Sequence, residues 1–550
     1  MNDVCLKNKK LLFAAWACET KDSFIYNNWY LTLKEMFGET ILFDPRKNYF
    51  NYGKKVMNEK FLELIKKEQP DYIIFCLTYD EFDLNFFDKL RSVSPKTRLI
   101  NLFSDDEWNF DNYSRYYALF FDYIITVKKD LSDYHKDGIE KVHFLYGVSE
   151  HEYKPQNLEK KYDVTFIGSP IRDRPDFLKF LVKNKINVAI AGSSEWEKYP
   201  ELKEKYLGFL NQEDFFKTIN QSKINLVFSK TALKGEGKTD SHLKLRVFEF
   251  AACKSFGLIE STPGLIGFFK NKKINFKTKE ELFEKIKYYL SQDKEREKLT
   301  NSSYNYFLKN FTLKQGFLKF FEKISKDEQT VQSRKTLPIL NKKTITLTKE
   351  DFALSLKKLN EKLNEIDYVQ FDNGKDVFSP YKEYFQAYSL LKSKKQISCC
   401  DYYVNSKLLG DFLIFRANLA FRHIPEKAHN FLTINQLMIT KDYFLKNINS
   451  FKILFSGKET SVLKKENTVF VSIPLIQTKK VKVLEYETMK TTFVMRFKDK
   501  LYSLFYQKKF FNHYPLALCF SAFNGKKFIL KYIKETVFNK ENRNKIKEYS

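Results

Sequence analysis

Two short stretches hold residue types that could bind a phosphorylated ligand. The first is Phe166-Ile167-Gly168-Ser169-Pro170-Ile171-Arg172-Asp173-Arg174. An apolar run ends in glycine, and a helical pattern begins shortly after. Glycine lets a phosphate approach the backbone closely, and a helix N-terminus offers unpaired amides to an anion. Arg172 and Arg174 could pair bidentately with diphosphate oxygens. The same residues would also serve as an ordinary strand-to-helix turn with two solvated arginines. The second stretch is Lys244-Leu245-Arg246-Val247-Phe248-Glu249-Phe250-Ala251-Ala252-Cys253. Leu245, Phe248 and Ala252 fall at helical spacing and form an apolar face. Glu249 lies at one edge of that face. An ionised carboxylate there can accept both hydroxyls of a ribose, or it can simply pair with Arg246 across one turn.

On the acceptor side, a proton-accepting group is expected in the N-terminal half. Asp105 and Asp106 directly follow the apolar run Thr97–Phe103. They are candidates for that base, and equally for the acidic first turn of a helix. His135 and His143 are the other titratable groups of interest there.

These residues sit in a regular pattern. Leu11–Trp16, Thr40–Phe43, Asp71–Leu77, Thr97–Phe103, Asp122–Val127 and Lys141–Leu145 read as strands with amphipathic stretches between them, Ser23–Phe37 and Lys54–Glu68 among them. The near-continuous apolar character of DYIIFCL fits a strand buried on both faces. After the polar stretch Ser149–Lys161 the alternation restarts with Tyr162–Ile167, Ile186–Ala191, Ile224–Phe228 and Phe256–Ile259, separated by helices and by a Gly/Lys loop at Ser229–Asp240. Helices then run to about Ile324. The expected fold is α/β, with two successive Rossmann-like domains, 1–157 and 158–325. A polar linker, 326–346, leads to an α+β C-terminal domain, 347–550. Ligands of such sheets bind at the carboxyl ends of the strands.

The run LRVFEFAACKSFGLIESTPGL resembles the C-terminal half of the CgeB-like (spore-maturation type) glycosyltransferases, and Glu280-Glu281-Leu282 with Ile286–Leu290 resembles a later helix of that family. The likeness spans roughly residues 11–324 and extends to the two-Rossmann (GT-B) glycosyltransferases. It implies a metal-independent enzyme with no cofactor, using a nucleotide-sugar as co-substrate. Residue by residue, it implies Glu249 on the donor ribose, Arg172, Lys244 and Arg246 on the diphosphate, and Gly168 and Ser169 against the donor phosphates. There are departures. Lys254 replaces a glycine, Asn310-Phe311-Thr312 stands where a His-Thr is usual, and Ser241 occupies the place of a second glutamate. A retaining mechanism built on a glutamate pair is therefore unsupported. In the C-terminal region, Asp367–Asp376 weakly resembles the strand and acidic turn of the GT-A class, with Asp372 and Asp376 better suited to a turn than to a metal.

Composition narrows the class. The chain has 550 residues, 43% of them hydrophobic and 17% aromatic, enough for several cores and too apolar for a disordered chain. Its 95 basic and 68 acidic residues leave +27. The lysines are dispersed among acids and lack a stacking platform or zinc finger, which disfavours nucleic acid as a partner. A compositional bias of the source genome accounts for the excess most simply. Anionic lipid headgroups or an anionic donor are the alternatives. The 7 cysteines show no CxxC pair, which fits a reducing cytoplasm. No apolar run reaches the roughly 18 residues of a membrane span, and no signal peptide is expected. The aromatic, lysine-rich Phe497–Tyr532 suits either a domain core or a peripheral contact at the inner face of a membrane. The leading expectation is a bacterial, cytoplasmic transferase of polysaccharide biosynthesis, acting on a cell-envelope glycan or glycoprotein acceptor. The alternative is a non-catalytic glycan- or polyanion-binding scaffold on a decayed transferase fold.

Overall fold

The computed structural model describes residues 6–15, 23–77, 81–104, 106–229, 243–262, 264–267, 269–327, 337, 339–372, 374, 376–406, 410–415, 434–455 and 467–478. The first sheet contains β1 (Lys10–Ala14), β2 (Glu39–Phe43), β3 (Tyr72–Phe75), β4 (Arg98–Phe103), β5 (Tyr123–Thr126) and β6 (Val142–Phe144). Their order is β2-β1-β3-β4-β5-β6, and every pairing is parallel. A π-helical turn, Ile25–Tyr30, runs into α1 (Leu31–Met36) after β1. Helix α2 (Pro45–Glu68) begins well before the expected Lys54. Asp44 caps it by accepting from the Lys47 amide, and Pro45 supplies a first-turn φ without needing a hydrogen-bond partner.

The second sheet contains β7 (Tyr162–Ile167), β8 (Val188–Ala191), β9 (Ser222–Val227), β10 (Gly257–Glu260) and the short β11 (Asn275–Phe276). It is also parallel, in the order β11-β10-β9-β7-β8. Both sheets are Rossmann-like, and together they make the GT-B arrangement. In each, the first strand has its successor on one side and its next strand on the other. This topological switch point lies between β1 and β3 in the first sheet and between β7 and β9 in the second. Crevices for ligands open at the carboxyl ends of such strand pairs.

Two chain segments join these halves side by side. Val148 bridges to Thr312, and the Leu313 amide donates to the Val148 carbonyl at 3.1 Å. The second segment leads into helix α3 (Leu313–Ser325). Although this helix lies within 158–325, it packs on the first domain. Leu313, Phe317, Phe320, Phe321 and Ile324 share one core with Leu11, Phe37 and Tyr72. Phe321 meets Phe37 and Tyr72 edge-on at 5.1 and 5.3 Å between ring centroids. At the end of the helix, Arg98 donates to the Ile324 carbonyl at 2.7 Å, and Asp327 takes Lys141 at 2.9 Å. An apolar stripe at 3.6-residue spacing goes where a matching face is available, and the sequence of the stripe does not say which domain offers one.

The third domain is α+β. Its mixed sheet runs β12 (Thr344–Leu347), β13 (Tyr368–Phe371), β17 (Leu437–Thr440), β15 (Ile397–Ser406), β18 (Thr468–Thr478), β14 (Asp376–Phe378), with β16 (Gly410–Phe415) on β15. Strand β12 starts inside the expected linker because Leu347 is buried beside Phe371. Helix α4 (Lys382–Ser393) presses Phe385 and Tyr388 into the core of the first domain, against Tyr116 at 5.4 and 6.3 Å. Asp372 accepts from the Gly374 amide and Asp376 from Asn435, so both are occupied as turn and bridging residues. The residues of Phe497–Tyr532 lie outside those described. Among the described residues no helix is long and apolar enough to cross a membrane.

Truncating Phe321 to alanine should therefore cost about 3–5 kcal/mol. Urea unfolding would read this as a lower midpoint, with loss of the contact between α3 and the first sheet.

Candidate active site

The second switch point is built from backbone and one buried cation. The Gly168 amide donates to Ala191 at 2.9 Å, and Trp196 Nε1 donates to the Gly168 carbonyl at 2.7 Å. Gly192, at φ +116°, faces that same carbonyl, and a Cβ on it would lie 2.6 Å from the Gly168 oxygen. Only glycine allows this approach at the strand ends. Arg174 is buried behind the turn. Its guanidinium donates to the Ser169 carbonyl at 3.1 Å and the Phe228 carbonyl at 3.3 Å, which ties the ends of β7 and β9 together. It also lies 5.7 Å from the centre of the Phe166 ring. Burial lowers its pKa, and the charge of Glu260 at the end of β10 opposes that shift. Glu260 is itself buried and accepts from the Ser229 amide at 2.8 Å. Of the two arginines that sequence offers to a diphosphate, Arg174 is thus spent on the scaffold. Arg172 is exposed, at φ +57°. Gly168 and Ser169 are partly open at the turn.

The second stretch forms helix α5 (Leu245–Ala252), with Lys244 at its N-cap. Residues 230–242 before it, including Gly235, Gly237 and Ser241, lie outside those described. In a β-α-β unit the helix starts at the carboxyl edge of the sheet, so Lys244 stands near the strand ends. Glu249 lies about 7 Å further along the axis. It is buried, and both its oxygens are engaged. Tyr153 donates to Oε1 at 3.0 Å, and Arg246 pairs with Oε2 at 2.7 Å. Tyr153 belongs to the segment joining the domains. Burial and the Glu249 charge raise its pKa well above the phenol range. Arg246 is stacked over Phe215 at 4.5 Å. The structure therefore gathers Lys244, Arg246 and Glu249 on one helix beside the interdomain segment. Gly168, Ser169 and Arg172 form a separate group at the end of β7.

At the carboxyl end of the first sheet, Asp106 opens a four-residue helix, Asp106–Asn109, immediately after β4. It is 1% exposed. Its Oδ2 accepts from Thr126 at 2.5 Å and from Tyr134 at 2.6 Å, while Oδ1 has no partner among the described residues. Burial pushes its pKa up to about 6, against the two hydroxyl donors and the Lys128 charge, which lower it. Asp105 lies outside the described residues. His143 packs under α3, 5.1 Å from Phe320, and burial pushes its pKa down to about 4. His135 Nδ1 lies 3.2 Å from Glu140 at the surface. Sequence reasoning missed Tyr134, Thr126 and Trp196, because side chains that bind a candidate from another strand or helix leave no local pattern. Among the described residues, no three His, Cys, Asp or Glu side chains cluster as a metal site.

Residues 172–321 match the family model described as glycosyl transferase-like. No curated protein sequence matches the chain. A glycosyltransferase from Rickettsia africae is 14% identical, covering 58% of this chain and 100% of its own, with a TM-score of 0.41. The T4 phage β-glucosyltransferase is 12% identical, covering 57% and 98%, with a TM-score of 0.35. The Thermobaculum terrenum O-GlcNAc transferase is 10% identical, covering 59% and 68%, with a TM-score of 0.38.

The two arginines should separate cleanly by mutation. Arg174→Met should destabilise the fold by about 3 kcal/mol, since it strands two carbonyls and leaves Glu260 without its facing cation. Arg172→Met should stay within about 0.5 kcal/mol. Denaturant titration of both variants checks the contrast.

Proposed function

We propose that the protein is a glycosyltransferase of the CgeB-like type that moves a sugar from a nucleotide-sugar to a cell-envelope glycan or glycoprotein. The observation that carries this reading is the position of the family match. The glycosyl transferase-like segment starts at Arg172 and takes in Lys244, Arg246 and Glu249. In the proposed reaction the acceptor hydroxyl attacks the anomeric carbon. Its proton passes to the Asp106 carboxylate, once local movement opens the buried Oδ1 to the acceptor, as the bond to the diphosphate breaks. The leaving diphosphate is neutralised by Arg172, Lys244 and backbone amides near Gly168 and Ser169, so the reaction needs neither metal nor cofactor. Glu249 holds the ribose once Arg246 or Tyr153 yields one of its oxygens. The proposed setting is the cytoplasm, at the inner face of the membrane, where a +27 chain meets anionic headgroups.

One observation favours the scaffold reading. Each oxygen of Glu249 already has a protein contact, Tyr153 on Oε1 and Arg246 on Oε2. A thermal-shift screen of nucleotides and nucleotide-sugars decides between them, because a ligand that binds only the native state raises the melting point. On the enzyme reading, one nucleotide series raises it by a few degrees, and Glu249→Ala abolishes the response. If no donor binds or turns over, the scaffold reading replaces the enzyme.

The base predicts a pH profile. Asp106 must be ionised to accept a proton, so transfer should fall as pH drops through about 6. Asp106→Asn should lower kcat by about 10²- to 10⁴-fold with the donor KM little changed.

A further inference from the structure

Tyr134, which grips Asp106, sits on the five-residue helix α6 (Ser132–Lys136). The far end of α6 is held by the third domain. Lys392 on α4 donates to the Lys136 carbonyl at 2.8 Å and lies 3.7 Å from Asp137, just past the helix. Tyr388, one turn earlier, donates to the Asp137 carbonyl at 3.5 Å. Asp137 is buried and takes Arg115 bidentately at 2.8 and 3.0 Å. Arg115 in turn lies over the Phe110 ring at 5.1 Å, and that ring meets Tyr134 edge-on at 4.8 Å. A five-residue helix has too few internal hydrogen bonds to hold its own place. Its position is set by what grips its ends.

We propose that Lys392 and Tyr388 of the third domain are positioning residues for the acceptor-side carboxylate. By clamping the C-terminal end of α6, they hold Tyr134 where its hydroxyl fixes Asp106 Oδ2. This gives residues 347–550 a task in the reaction, and it rests on the reading of Asp106 as the base. Among the described residues, Asp106 faces the Thr126 hydroxyl from β5, the Tyr134 hydroxyl from α6, and the charge of Lys128 from the segment after β5, itself paired with Asp133. Behind α6 stand Asp137, Arg115, Asp111 and Lys392, with Lys136 and the His135–Glu140 pair on its outer side. Hydrogen bonds to a carboxylate favour its ionised form, so a loosened Tyr134 raises the affinity of Asp106 for its proton.

The experiment follows the Asp106 carboxyl by 13Cγ titration in the full chain labelled at aspartate, alongside pH profiles of kcat and kcat/KM for sugar transfer. The signal is assigned by its loss in Asp106→Asn. Tyr134→Phe should move the Asp106 titration upward by about half a unit to one unit. Lys392→Met should move it in the same direction, lower kcat and leave the donor KM unchanged, and Lys392→Arg should restore it. The Tyr134→Phe, Lys392→Met double variant should shift no further than Tyr134→Phe alone. If Lys392→Met titrates like the unsubstituted protein while Tyr134→Phe shifts, or if the double variant adds the two shifts, the clamp is overturned and the base reading survives. If Asp106→Asn transfers sugar at the original rate, the base reading falls, and the clamp's role in the reaction falls with it.

Discussion

A backbone contact with no room for a side chain joins the two segments that link the parallel sheets. Where the chain passes between them, a Cβ on Gly147 would lie 1.9 Å from the Phe311 carbonyl oxygen. The outgoing and returning segments can touch only because position 147 is glycine. That contact lets Val148 pair with Thr312 and sends α3 back across the first sheet. The two segments also carry the residues that reach the candidate site. Asn28 on the first domain accepts from the Ser149 amide at 2.9 Å, and Tyr153 a few residues later reaches Glu249. The segment that binds the first domain through Asn28 thus also supplies a partner of Glu249.

Three of the buried charges stand at the strand ends of the two parallel sheets. Arg174 and Glu260 in the second sheet, and Asp106 in the first, are all nearly inaccessible. Each is expensive to bury unless its hydrogen bonds are met. Arg174 meets two carbonyls and a facing carboxylate, and it ties the ends of β7 and β9 together. Asp106 is different because, among the described residues, only one of its oxygens has a partner. Burial, opposed by the Thr126 and Tyr134 hydroxyls, is what raises its pKa. Structural and chemical roles thus divide between groups that look alike in sequence.

The third domain does not stand apart. Phe385 and Tyr388 complete the core of the first domain, and Tyr381 binds Asp88 across the same junction. One helix serves both sides. Its aromatic face enters the first domain, while Lys382 and Gln386 turn inward to Gln370 and Gln436 of the third sheet. Burial pushes the Lys382 pKa down to about 8, a cost borne inside the third domain. A helix committed on two faces transmits position rigidly, which is the physical basis for its hold on α6.

Much of this architecture was readable in one dimension. The strands from Leu11 to Ile259 follow from apolar runs of four to six residues, and Tyr162–Ile167 coincides with its strand residue for residue. Period and local composition determine these elements because a strand buried on both faces needs nothing but apolar neighbours in sequence. Capping decided what the pattern left open, as Asp44 and Pro45 did for α2. The candidate residues Arg172, Lys244, Arg246 and Glu249 were legible by type. Their states were not. Only the tertiary structure committed Arg174 to two carbonyls, closed Tyr153 over Glu249, gave α3 to the first domain and set Tyr134 on Asp106. Each of these is a contact between segments far apart in sequence. Pairing partners at such range depends on which faces meet after the sheets assemble, and a sequence specifies its faces without saying which of them will meet.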